Sequence, residues 1–182
     1  FHLAEVYRMP AMLLADGLLG QMMEPVEFPE ETPAPSEKPW ALTGTGGKRP
    51  PNIVNSLYLT PSQLEEIVQQ RFLRYQQVQE KEVMLEQYHT DDARYLMVAY
   101  GATARIVKSA VDKARAEGIP VGLIRPITLW PFPTAEIAAA AEQAKAFLCV
   151  EMSMGHMVED VRLAVNGRRP VEFYGRTGGM IP

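Results

Sequence analysis

Six positions in the C-terminal half of this 182-residue chain have residue types suited to binding chemistry: Gly101, Thr103, Arg105, Arg125, Ser153 and His156. They fall in three short stretches, GATAR at 101–105, RPITLWPFP at 125–133 and MSMGHM at 152–157. Arg105 and Arg125 are permanent cations that a carboxylate or phosphate can engage. Gly101 and Thr103 stand where a helix is expected to begin, and free N–H groups with the positive dipole end favour anions there. Ser153 and His156 add a hydroxyl and an imidazole. The six are expected to line an anion- or substrate-side rim, and no catalytic residue is assigned. GATAR lacks the full dinucleotide glycine pattern, so a plain structural turn is its simpler reading. Either arginine has the alternative of pairing with a local carboxylate such as Glu151 or Glu159.

Other reactive side chains carry less. His156, Glu159 and Asp160 share helical spacing, but a metal needs more ligands and an outer shell than this run offers, so no metal site is expected. Cys149 lies inside an apolar run and reads as an inert core thiol. Met152, Met154 and Met157 read as packing or interface residues.

The elements that must position the rim follow from the apolar pattern. Tyr95–Tyr100 is an unbroken apolar run of the kind that forms a strand buried on both faces. Gly101 ends it, Thr103 is placed to cap a helix carrying Ile106, Ala110, Val111 and Ala114, and Gly118 suits the helix C-terminus. Ile119–Ile124 is the next strand. Thr134–Lys145 is an alanine-rich helix, Ala146–Glu151 a third buried strand, Val158–Val165 a helix closed by Asn166-Gly167, and Val171–Tyr174 a last short strand before a glycine-rich tail. Ligands meet such sheets at the carboxyl ends of the strands, where the three stretches lie. The fold class expected for residues 91–182 is α/β, an open, mostly parallel sheet with helices on both faces.

Upstream the character changes. FHLAEVYRMPAMLLADG reads as a helix, a joint at Pro10 and an apolar strand, Ala11–Leu14, that needs neighbouring strands. Residues 1–24 are therefore expected to be the end of a preceding domain, and the chain a piece of a longer protein. Residues 25–59 read as a proline-rich linker arm: Pro25, Pro29, Pro33, Pro35, Pro39, Pro50 and Pro51 block regular structure. A second reading makes it an ordered arm across a partner, anchored by Trp40. Thr60-Pro61-Ser62-Gln63 is a capping box, and Leu64, Ile67, Val68, Phe72, Tyr75 and Val78 recur at helical spacing, so residues 60–90 are expected to form a long amphipathic helix.

Composition narrows the class further. A net charge of −4 provides no electrostatic footprint for nucleic acid or an anionic membrane. No apolar run is long enough to span a bilayer. A single cysteine allows no internal disulfide and cannot ligate an iron–sulfur cluster alone. A reducing, cytoplasmic location is expected.

VAYGATARIVKSAV, GIPVGLIRPITLWPFP, FLCVEMSMGHMVEDV and PVEFYGRTGG resemble the C-terminal part of the alpha subunit of 2-oxoacid:ferredoxin oxidoreductases. WALTGTGGKRPPNIVNSLYLTPSQLEE is most similar to the 2-oxoisovalerate (3-methyl-2-oxobutanoate) branch, and FHLAEVYRMPAMLLADGLLGQMMEP resembles the end of that subunit's pyrimidine-binding thiamine diphosphate domain. Relatives of this type usually carry glutamine where this chain has His156. The resemblance implies that residues 91–182 are like the transketolase C-terminal domain. It also implies an assembled enzyme that decarboxylates a 2-oxoacid on thiamine diphosphate with magnesium, passes electrons through iron–sulfur clusters to ferredoxin, and forms acyl-CoA from coenzyme A. The implied partners are a thiamine diphosphate-binding beta subunit, a gamma subunit and a ferredoxin-like delta subunit, with ferredoxin as acceptor, in a dimer of the hetero-oligomer. No cofactor is expected on this chain alone: Ala15-Asp16-Gly17 mimics a Gly-Asp-Gly diphosphate motif but has alanine first and reads as a strand-end turn. Subunit interface and active-site surroundings are the expected role. The alternatives are a 2-oxoglutarate-specific alpha subunit, a non-catalytic anion- or nucleotide-binding module, and an assembly domain without ligand.

Overall fold

Runs that stay apolar without alternation become interior strands, because both of their faces must be covered. The computed structural model describes residues 1–15, 17, 19–28, 30 and 37–179. Asp16, Pro29, Pro33 and Pro35 lie outside these, as do the last three residues of the tail, so the expected turn at 15–17 and parts of the arm and tail are not described. The chain divides into two compact units, one of residues 1–14 and 21–77, the other of residues 15–20 and 78–182.

The first unit holds helix α1 (His2–Tyr7) and most of helix α2 (Pro61–Lys81), whose last four residues belong to the second. Ala11–Leu14 forms no strand: Met12, Leu13 and Leu14 are exposed, and a strand exists only through its partners. The described part of the arm has neither helix nor strand; a short 3-10 turn at Leu19–Gln21 precedes it. Part of it folds back locally, since Lys38 pairs with Glu5 at 2.5 Å and the Arg8 guanidinium lies 4.9 Å from the Trp40 ring centre. Leu64 donates its N–H to the Thr60 carbonyl at 3.0 Å where α2 opens at Pro61. The helix closes at Lys81, short of the expected residue 90. Leu64, Val68, Phe72 and Tyr75, which make up the apolar face, are exposed, and Val78 alone of α2 is buried.

The second unit is the α/β domain. Its elements are strands β1 (Leu85–Tyr88) and β2 (Tyr95–Val98), helix α3 (Gly101–Ala116), strand β3 (Val121–Pro126), helix α4 (Thr134–Gln143), strand β4 (Ala146–Glu151), helix α5 (Met157–Val165) and strand β5 (Val171–Gly175). The sheet order is β1-β3-β2-β4-β5, with β2 parallel to both β3 and β4, β4 parallel to β5, and only β1 antiparallel. The three apolar runs are thus adjacent, parallel and mostly buried, as expected from their patterns.

Crossover handedness then fixes the layers. The chain moves from β2 to β3 in one direction and from β3 past β2 to β4, then β5, in the other. Right-handed crossovers place α3 on one face and α4 and α5 on the opposite face. The cores agree. Ala104, Val107 and Val111 of α3 pack on Val121, Leu123 and Val150. Ile137 and Ala141 of α4, with Val158, Val161 and Val165 of α5, pack on Leu96, Val98, Ile124, Phe147 and Cys149. Adjacent residues of one strand feed opposite cores, as period two requires.

Two boundaries differ from expectation. α3 begins at Gly101 after Tyr100, with no side-chain cap, and Thr103 is buried inside its first turn instead of capping it. Gly101 takes φ +56°, a left-handed turn that a residue without Cβ makes at least cost. Gly118 also has positive φ, +83°, and Ile119 donates to the Ala114 carbonyl at 3.0 Å, closing α3 as expected.

Candidate functional site at the carboxyl edge of the sheet

The chain leaves β2 toward one side of the sheet and β4 toward the other, so a crevice opens between their carboxyl ends. The β3–α4 connection must cross that point on its way to β4. Two of the stretches, with Tyr100 just before the third, border a small hollow of 110 Å³ lined by Tyr100, Leu129, Phe132, His156, Met157 and Asp160. Tyr100 precedes α3, Leu129 and Phe132 come from the connection, and the others from the turn and start of α5. Burial, and then the charge of Glu151, push the Tyr100 hydroxyl above its ordinary pKa, so it stays a neutral donor. Leu129 of the lining is exposed, as are Ile127 and Trp130 of the same connection and Met154 of the turn before α5, Trp130 at 52% and Met154 at 81%.

The turn between β4 and α5 is held by one side chain. Glu151 is 1% exposed, and its carboxylate accepts the N–H groups of His156 (3.1 Å), Met157 (3.0 Å) and Val158 (2.9 Å) and the Ser153 hydroxyl (3.1 Å). A buried carboxylate is tolerable when its lone pairs are filled in this way, and the dipole of α5 favours its charge. The Arg176 N–H binds the Glu151 carbonyl at 3.0 Å, and Gly155 donates to Ser153 Oγ at 3.0 Å. Gly155, at φ +105°, lies against Val158 and the Phe173 ring, leaving little room for a side chain.

This arrangement changes the expected chemistry of the rim. The N–H groups at the start of α5 are occupied by Glu151, and the Ser153 hydroxyl points inward to the same carboxylate. Arg125 is not in a loop: it belongs to β3, where its Nη1 binds Glu86 Oε2 of β1 at 3.0 Å, and its Nε is buried without a hydrogen-bond partner. Lys108 of α3 binds the other Glu86 oxygen. Those bonds, from Lys108 first and then Arg125, hold the Glu86 carboxyl below its ordinary pKa. The partner of Arg125 is thus Glu86, neither Glu151 nor Glu159. Arg105 is exposed in the second turn of α3. Of the six rim residues only His156 lines the hollow, while Gly101 and Thr103 form the adjoining start of α3.

Cys149 is fully buried, and its thiol is pushed up to about 12 by burial and by the Glu151 charge, so it is no nucleophile at neutral pH. Among the described residues there is no group of three or more side chains able to hold a metal. No described helix is long and apolar enough to cross a membrane.

Residues 93–182 match the family model for pyruvate:ferredoxin oxidoreductase core domain II. Over 182 residues the sequence is 47% identical to ketoisovalerate oxidoreductase subunit VorB of Methanothermobacter marburgensis, an alignment covering 98% of this chain and 51% of that protein. It is 32% identical to 2-oxoglutarate synthase subunit KorA of the same organism, covering 100% of this chain and 55% of KorA. The chain spans about half the length of these relatives. A solved 2-oxoglutarate:ferredoxin oxidoreductase from Magnetococcus marinus, with 2-oxoglutarate, coenzyme A and succinyl-CoA bound, shares the fold at a TM-score of 0.55 and 21% identity, over 68% of this chain and 22% of that one. Residues 93–182 are thus similar to core domain II of the pyruvate:ferredoxin oxidoreductases, and the whole chain is similar to part of the VorB and KorA subunits.

Proposed function

We propose that the chain is the C-terminal part of the alpha subunit of a cytoplasmic, thiamine diphosphate-dependent 2-oxoacid:ferredoxin oxidoreductase acting on 2-oxoisovalerate. Its 47% identity to a ketoisovalerate oxidoreductase subunit, against 32% to a 2-oxoglutarate synthase subunit, favours the branched substrate. The partners are then the beta, gamma and ferredoxin-like delta subunits in a dimer of the hetero-oligomer, with ferredoxin as acceptor. Iron–sulfur clusters, magnesium and coenzyme A complete the assembled enzyme.

The observation that carries the role of this piece is a hollow at the carboxyl edge, bordered by connections that carry exposed apolar side chains. Exposed apolar surface of that kind marks an interface. We assign this edge to contact with the thiamine-binding subunit and to shaping the approach to its cofactor, with Gly101, Thr103, Arg105, Arg125, Ser153 and His156 in or behind that rim. The described residues do not suit thiamine diphosphate itself. Glu151, the most buried carboxylate, is fully occupied by α5, and one cysteine cannot hold a cluster.

A free-standing anion or nucleotide module fits less well, because Arg125 and the α5 N-terminus already have protein partners. The test is reconstitution of the complete complex and measurement of coenzyme A-dependent ferredoxin reduction with 2-oxoisovalerate, 2-oxoglutarate and pyruvate. The expected result is the highest kcat/KM for 2-oxoisovalerate, and no turnover by the isolated chain. Preference for another 2-oxoacid overturns the substrate, and turnover by the chain alone overturns the subunit reading.

A further inference from the structure

A second hollow in the α/β domain lies elsewhere: a groove of 320 Å³ along α4, on the side of that helix that faces edge strand β1. Its helical wall is Glu136, Ala139, Ala140 and Gln143, a spacing of three, four and seven that belongs to one face. Its other wall is Gln87, Thr90 and Asp91, and Leu96 and Ile124 lie at its floor. The groove exists because α4 is built from alanines (TAEIAAAAEQ). Small side chains at 139 and 140 leave open a trough that leucines would fill. At about 300 Å³ it reaches the lower size of small-ligand sites.

The chemistry of the walls selects the ligand. Every polar lining group can accept a hydrogen bond and no lining residue is cationic. The Thr90 hydroxyl donates to Gln87 Oε1 at 3.2 Å, which leaves the hydroxyl oxygen's lone pairs available. Glu136 lies in the first turn of α4. The Lys145 N–H binds the Arg94 carbonyl at 2.7 Å, which sets the loop carrying Asp91 beside the other end of the helix. A carboxylate therefore stands toward each end of a trough that, over the seven residues from Glu136 to Gln143, runs about 10 Å. Between them the floor is apolar.

We propose that this groove binds a short linear organic dication, a diamine or an amino-guanidine, lying along α4 with one charged end at Glu136 and the other at Asp91. Its methylenes rest on Ala139, Ala140 and Ile124, and its N–H groups reach Gln87, Thr90 and Gln143. A spacer of about four to six carbons suits that length after a hydrogen bond at each end. The site is separate from the carboxyl-edge rim and does not depend on the subunit role.

The full chain, labelled at its alanine methyls, is titrated at low salt with 1,4-diaminobutane and with agmatine, using 1-butanol and succinate as controls. Saturable shifts confined to Ala93, Ala139, Ala140 and Ala144 are expected with the two dications only. Glu136→Gln and Asp91→Asn should each weaken binding about tenfold, the value of one charge-assisted contact. Ala140→Leu fills the trough and should abolish the shifts while the remaining alanine spectrum is retained. Non-saturating shifts, an equal response to butanol, or binding unchanged in Glu136→Gln and Ala140→Leu would each overturn the site.

Discussion

The Glu151 carboxylate and the Val158 N–H meet at 2.9 Å across seven positions of sequence, so the last residue of β4 caps the helix that follows it. That bond and its companions to His156 and Met157 set the path of the turn forming one wall of the carboxyl-edge hollow. Replacing Glu151 with alanine leaves three N–H groups without their acceptor in a buried site. The expected loss is about 2–4 kcal/mol of stability in urea unfolding, with Glu151→Gln costing less, roughly 1–3 kcal/mol. Both variants with wild-type midpoints would mean that the turn is held by packing alone.

A buried thiol with its pKa pushed up to about 12 should be chemically silent. In the folded chain at pH 8, Cys149 is expected to resist a disulfide reagent for hours and to react fully within minutes in strong denaturant. Rapid labelling of native protein would show that β4 opens far more readily than its place between β2 and β5 implies.

These features differ in how far they could be read from the sequence. β2, β3 and β4 were legible because their runs are apolar on both faces, and β5 because the chain keeps alternating helix and strand. β1 was not: Leu85-Glu86-Gln87-Tyr88 has two polar residues in four and follows a helical pattern, and only its pairing with β3 makes it a strand. Arg125 looked like loop because a charge ends an apolar run. In the fold its charge is matched by Glu86, a carboxylate 39 positions away that spacing cannot connect. The placing of the connections at the carboxyl edge followed from strand order, but which side chains line the hollow depended on where β3 ends. The Glu151 cap did leave a signal, a carboxylate closing a strand just before Ser153 and Gly155, but it resembles no local capping pattern.

The Glu86 cluster makes a prediction about acid. Lys108 and Arg125 hold its carboxyl below the ordinary 4.5, so the folded state favours the charged form. A lowered folded pKa gives stabilisation that is present above the unfolded value and lost as pH falls through the folded one. Stability of the wild-type chain should therefore drop more steeply below about pH 4.5 than that of Glu86→Gln. Parallel stability–pH curves for the two proteins would remove the ion pairs from the account. Arg125→Glu should destabilise the β1 edge, and the exchange Glu86→Arg with Arg125→Glu should restore part of the loss.

Gly122 of β3 should be irreplaceable for a steric reason, since a Cβ there would run into the His89 carbonyl, and backbone cannot move aside as a flexible side chain can. His89 itself sits at φ +52°, so the loop has little freedom to retreat. Gly122→Ala is expected to cost roughly 1–3 kcal/mol by thermal or urea unfolding. Gly44→Ala, in open space, provides a control for steric effects, although its φ of +83° adds backbone strain of its own. A cost for Gly122→Ala no larger than that control would show that β1–β2 adjusts freely.

The last prediction concerns the exposed apolar side chains at the carboxyl edge. Leu129 and Met154 contribute little to the domain's own core, being 38% and 81% exposed, so aspartate at either position should leave the folding of the isolated chain nearly unchanged. In the assembled enzyme the same change would bury an unpaired charge against the partner. If this edge meets the thiamine-binding subunit, Leu129→Asp should weaken assembly at least about tenfold, the loss expected of a central apolar anchor. His156→Gln keeps a hydrogen-bond donor at that position and should leave assembly intact. Unaltered assembly in both Leu129→Asp and Met154→Asp, with subunit affinity measured directly, would place the partner on another surface. The exposed face of α2 would then be the next candidate, because its Leu64, Val68, Phe72 and Tyr75 are likewise uncovered in this chain.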